Sequence, residues 1–156
     1  MALVQSDNSS GEISAAGQVA ASPEEVFAFL SDLENHWLLA DRFVEVLTLD
    51  RGSDGAVHGG SVRMRGPLGL GRTATTRVVS TESPVAMTGT ADLSGGTRAV
   101  IHWRLARDGG PTRVELAAHL ERAGSLDRLL LALGGRRWIR RRFSSILQTL
   151  ARHFPA

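Results

Sequence analysis

The sequence predicts an α+β fold in which an antiparallel sheet of about six to seven strands carries a long helix at its carboxyl end, with two short helices after the first strand. Three observations predict it. Residues 97–107 and 112–121 place apolar side chains on alternate positions, residues 125–154 return to helical spacing, and Ser22-Pro23-Glu24-Glu25 marks a helix start behind the first strand.

Residues 1–11 read as a flexible tail, and residues 12–156 as a single domain. Residues 12–20 set the short side chains of Ile13, Ala15, Gly17 and Val19 on one face, which fits a first strand with a small-residue inner surface. Ser22 then caps, Pro23 suits the first helical position and Glu25 completes a capping box, while Val26, Phe27, Phe29 and Leu30 form the buried stripe. A second short helix is expected over residues 35–40, carrying His36 and Trp37.

From residue 43 to 121 the chain becomes strands punctuated by glycine and proline turns, a meander of about six strands. In its clearest pair, Ala99, Ile101, Trp103 and Leu105 oppose Arg98, His102 and Arg104, and Val114, Leu116, Ala118 and Leu120 oppose Arg113, Glu115 and His119. One face is apolar and the other wet, as in an antiparallel sheet covered on one side. A capping serine recurs at Ser125, after which Ile139, Phe143, Ile146, Leu147, Leu150 and Phe154 share a stripe opposite Arg137, Arg141 and Arg152. Carried backwards, that wheel puts Ala132 and Gly135 inward, leaving space between helix and sheet. Gly134-Gly135 either lets the helix continue or breaks it and resets the wheel.

Composition excludes much chemistry. Among 156 residues there is no cysteine and no lysine, so thiolate metal sites, disulfides, Schiff bases and a Walker A lysine are impossible. Net charge is only +2, but residues 1–127 balance at −5 whereas residues 128–156 hold seven Arg and no acid. The start lacks a basic region followed by an apolar core, and the longest apolar run, residues 129–133, is far too short to span a bilayer. A soluble cytoplasmic protein is expected. The five histidines are scattered without ligand spacing, and no metal or cofactor is expected. The glycine cluster over residues 66–71 fits neither a nucleophile elbow nor a dinucleotide fingerprint; it reads as an apolar hairpin loop, with Leu68 and Leu70 gating a pocket as the functional alternative.

The segment Ala21-Ser22-Pro23-Glu24-Glu25-Val26-Phe27 with Leu30-Ser31-Asp32, then Trp37, Val62-Arg63-Met64-Arg65-Gly66 and Thr112-Arg113-Val114-Glu115 resembles the START-like (SRPBCC) superfamily, most closely its polyketide cyclase/dehydrase-like branch. The resemblance runs over roughly residues 12–154 and implies the helix-grip fold, a curved sheet wrapped around the long helix with an apolar cavity between them. Its motifs are mostly structural: Ser22 caps, Pro23 starts a helix and Thr112 closes a hairpin.

The expectation that follows is a small hydrophobic or aromatic ligand, lipid- or polyketide-like, held by Trp37, Met64, Met87, Trp103, Ala132 and Gly135. Trp103 is expected to face inward, because a one-residue slip would bury His102 and Arg104. The alternative is a cyclase or dehydratase that folds a poly-carbonyl chain in the same pocket and uses His36 or Arg136 to move a proton or stabilise an enolate. The plainer reading has His36 facing water; the wheel sets Arg136 inward, although Gly135 lets it turn out. Asp41 and Arg42 are the remaining polar candidates. A third reading is a peripheral module in which Arg136, Arg137, Arg140, Arg141 and Arg142 touch an anionic membrane or a protein partner. Its bland counterpart is a solvated helix neutralised by acids such as Glu24, Glu25, Asp32 and Glu34. Nucleic acid is not expected, since no aromatic stacking platform accompanies the arginines.

Overall fold

The computed structural model describes residues 12–66, 71–107 and 109–156. The tail over residues 1–11 and the loop positions Leu68 and Leu70 lie outside the described residues. Strand β1 (Glu12–Val19) leads through α1 (Pro23–Leu30) and α2 (Leu33–Leu39) into β2 (Val44–Arg51), β3 (Val57–Arg65), β4 (Gly71–Glu82), β5 (Ala86–Leu93), β6 (Thr97–Arg107) and β7 (Thr112–Arg122). Helix α3 (Ser125–Leu130), a kinked turn over Leu131–Gly135 and α4 (Arg136–His153) complete the chain. The strands form one antiparallel sheet of seven in the order β1-β7-β6-β5-β4-β3-β2. Irregularities between Val46 and Thr48, Val78 and Ser80, and Arg98 and Ala99 add local bend and twist to its curvature. No helix among the described residues is long and apolar enough to cross a membrane.

The local signals act as their chemistry dictates. The Ser22 hydroxyl accepts from the Glu25 amide at 3.2 Å while the Glu25 carboxylate accepts from the Ser22 amide at 2.8 Å. Small side chains on β1 let α4 approach, so that a Cβ on Gly17 would sit 3.6 Å from Leu147 Cβ. Register pairs Trp103 with Leu116 and Ile101 with Ala118, and Trp103 is buried.

Three expectations shift. Helix α2 begins at Leu33 rather than at residue 35, because the Asp32 carboxylate caps it by accepting from the Glu34 amide at 3.0 Å. Helix α3 is capped by Gly124, not by Ser125, with the Gly124 amide donating to the Thr97 hydroxyl at 3.0 Å. Thr112 pairs with Arg107 where the β6–β7 hairpin closes, and its buried hydroxyl also donates to the Ala21 carbonyl at 2.6 Å, tying β7 to the corner after β1. The carboxyl-terminal helix is broken: Leu133 (φ −96°, ψ 20°) and Gly134 (φ 102°, ψ 9°) leave helical geometry. The wheel is reset there, and Ala132 emerges on the exposed surface.

Two buried clusters result. One joins α1 and α4 to β1, β5, β6 and β7 around Val26, Leu30, Trp103, Leu116 and Leu150. The other sets Leu33 and Trp37 of α2 against Val57, Val62 and Ala74.

Candidate functional site

Between these clusters lies a cavity of about 350 Å³ whose wall is overwhelmingly apolar. That volume is at the lower end of the range typical of small-molecule sites. Helix α2 contributes Leu33, His36 and Trp37, the sheet contributes Val62, Met64, Met87, Ile101, Trp103 and Leu116, and the carboxyl-terminal segment contributes Gly135, Trp138, Ile139, Arg142, Phe143 and Ile146. Of the residues expected to touch a ligand, Trp37, Met64, Met87, Trp103 and Gly135 are on this wall, and Ala132 is not. Gly135 is close-packed: a Cβ there would lie 2.7 Å from the Leu130 carbonyl oxygen, so its small size serves the kink as well as the cavity.

His36 does not face water. Its Nε2 lies 2.7 Å from the Leu30 carbonyl, which can only accept, so Nε2 carries the proton and Nδ1 is the unprotonated nitrogen of the neutral ring. Burial pushes the imidazole pKa down to about 4, against smaller upward pulls from the Leu30 carbonyl and Asp32. At neutral pH the ring is uncharged and weakly basic, which suits a hydrogen-bonding wall better than a proton shuttle.

Arg136 is partly buried but is not part of the cavity wall; Arg142 is. The Arg142 guanidinium stacks with its carbon 4.5 Å from the Phe43 ring centroid and 4.8 Å from that of Trp138. Position 142 lies three residues after Ile139 and four before Ile146, so the helical spacing already placed it on the cavity stripe. Its charge hid it, because an arginine beside such a stripe reads as solvated. Asp41 and Arg42 are exposed and are not part of the cavity wall.

A polar clasp closes another part of the wall. The Arg72 guanidinium of β4 binds the Asp127 carboxylate of α3, one of its bonds measuring 2.9 Å, and also donates to the Ser94 carbonyl. The Thr97 hydroxyl donates to the same carboxylate. These bonds, those of Arg72 foremost, hold the Asp127 pKa below the usual carboxylate range despite burial. No local pattern announces a pair separated by 55 positions. The one signal was negative: Asp127 is the last acid before a stretch whose only charged residues are arginines and one histidine.

Arg137, Arg140, Arg141 and Arg142 of α4 are not neutralised as expected. Glu34 pairs with Arg51, Glu24 with Arg107, and Glu25 is spent on its cap. None of the ion pairs among the described residues involves Arg137, Arg140, Arg141 or Arg142.

A curved antiparallel sheet and a long carboxyl-terminal helix enclosing an apolar cavity define a START-like, helix-grip protein. The chain belongs to the family described as polyketide cyclase / dehydrase and lipid transport, which matches residues 10–155. Among solved structures it is similar to the KanY protein (TM-score 0.71, 16% identity, covering 92% of this chain and 96% of that one). It is also similar to a START superfamily protein from Mycobacterium smegmatis (TM-score 0.68, 15% identity, 93% and 99%). DynU16, a protein in the dynemicin biosynthetic locus, shares the fold over 93% of this chain and 47% of its own (TM-score 0.59, 14% identity). No curated protein matches the sequence.

Proposed function

We propose that the protein binds a small hydrophobic or aromatic molecule, lipid- or polyketide-like, in the cavity between sheet and helix. The observation that carries this reading is the cavity itself, about 350 Å³ with an overwhelmingly apolar wall. Trp37, Met64, Met87, Trp103 and Gly135 are the proposed contacts. Binding is favoured over cyclase or dehydratase chemistry because His36 is a weak base at neutral pH and Arg136 stands off the wall.

All three tryptophans, Trp37, Trp103 and Trp138, line the cavity, so intrinsic fluorescence reports its occupancy directly. Titration with a panel of fatty acids, isoprenoids and aromatic polyketides is expected to give saturable quenching by at least one class. A flat response across the panel, with no competition for a displaceable dye, overturns the reading.

A second reading, contact with an anionic membrane, draws support from Arg137, Arg140 and Arg141, which no carboxylate neutralises among the described residues, and from Leu129 of α3 and Leu133 of the kinked turn, which are 55% and 75% exposed. Sedimentation with phosphatidylglycerol vesicles but not phosphatidylcholine vesicles is the expected result. Equal recovery with both overturns it.

A further inference from the structure

The cavity wall carries an unbalanced positive charge. Its one carboxylate among the described residues is Asp127, and that group is committed to Arg72 and Thr97. Arg142 has no carboxylate partner among the described residues. Its partners are two aromatic rings, Phe43 and Trp138, at 4.5 and 4.8 Å from the guanidinium carbon. Rings satisfy the face of a guanidinium through their π-electrons, whereas its N–H donors lie in the plane and point past them. The two rings therefore lie against the guanidinium without taking up its N–H donors, which are left to bind an acceptor.

We propose that Arg142 is the head-group site of the cavity, which takes a small amphipathic anion: an apolar body against Met87 and Trp103, and a carboxylate or phosphate on the edge of Arg142. The proposal rests on the ligand-binding reading above and adds the charge of the ligand to it. A planar guanidinium fork matches an oxyanion that accepts two parallel hydrogen bonds, and such charge-assisted bonds are stronger than those a neutral head would make. Arg142 is partly exposed, so added salt weakens the contact without abolishing it. The same chain length with an uncharged head keeps the apolar contacts and loses only this one.

The test is isothermal titration of the full chain with decanol, decanoate and decyl phosphate at pH 7.5, repeated on R142Q and R142K and at raised salt. Wild type is expected to prefer at least one anion over decanol by roughly tenfold to a hundredfold. That preference should fall towards unity in R142Q, survive in part in R142K, and shrink with salt; the better of the two anions tells carboxylate from phosphate. Equal affinity for all three probes overturns the head-group site and leaves the ligand-binding reading standing. A preference that R142Q leaves intact removes Arg142 from the site. No binding by any of the three, including decanol, overturns both this proposal and the reading on which it rests.

Discussion

The imidazole of His36 and the indole of Trp103 meet in an edge-to-face contact, with ring centroids 5.2 Å apart and planes inclined at 63°. The contact joins α2 to the centre of the sheet across the cavity wall, and burial requires the imidazole to stay neutral there, its Nε2–H held by the Leu30 carbonyl. A protonated ring would place an unneutralised charge in an apolar enclosure.

That requirement has a pH signature. The unfolded chain protonates His36 near 6.5 while the folded chain resists until about 4, so the unfolded state binds more protons between those values. Stability due to this group is complete above about pH 6.5 and is lost as pH falls towards 4, by up to about 3 kcal/mol. His36→Gln retains an N–H for Leu30 and cannot titrate. Urea midpoints across this range should fall less steeply for the variant, and parallel curves would show that His36 does not carry the acid sensitivity.

Trp103→Ala tests the wall itself. The indole is 4% exposed, but one side borders the cavity rather than packed atoms, so its removal should cost about 3 kcal/mol, the low end for a large aromatic. Ligand quenching read from Trp37 and Trp138 should weaken in the same protein. Unchanged melting temperature together with unchanged affinity would show Trp103 to be neither core nor wall.

Much of this arrangement was legible in the sequence because it depends on local periodicity. The alternation in β6 fixes which way Trp103 points, and the Ser22–Glu25 box fixes where α1 begins. What escaped depends on partners distant in sequence. Arg142 looks solvated until Phe43 and Trp138 are brought to it, and Arg72 looks like any outward strand residue until Asp127 arrives. Ala132 was misplaced for a related reason: a helical wheel propagates phase, and one glycine with positive φ destroys it.

The kink should therefore be fragile to side chains. Gly134 has φ 102°, a conformation that costs an L-residue about 1 to 2 kcal/mol, so Gly134→Ala should lower stability by that amount. Gly135→Ala would drive a Cβ to 2.7 Å from the Leu130 carbonyl oxygen, forcing the backbone to shift. Because Gly135 is on the cavity wall, its variant should also change ligand affinity, whereas a Cβ on Gly134 would meet nothing within 4 Å. Thermal melts paired with ligand titration separate the two; equal effects on binding would mean that the kink, not the wall, sets affinity.

The Arg72–Asp127 pair should behave as a buried ion pair, since the two side chains are only 13% and 14% exposed. Asp127→Asn leaves a guanidinium on the cavity wall with only neutral acceptors such as the Ser94 carbonyl to serve it, a loss of about 3 kcal/mol. The folded carboxyl is held below its ordinary value of 3.8, so its contribution is present above that pH and disappears only as pH falls through the lower, folded pKa. This acid limb lies below the one assigned to His36, and the two variants should remove different parts of the profile. Replacing both partners, Arg72→Met with Asp127→Leu, removes the desolvation cost along with the attraction and should recover most of the stability lost in Asp127→Asn. Chemical denaturation of Arg72→Met, Asp127→Leu and the double variant gives the coupling directly, and additive losses would show that the clasp contributes through each side chain separately.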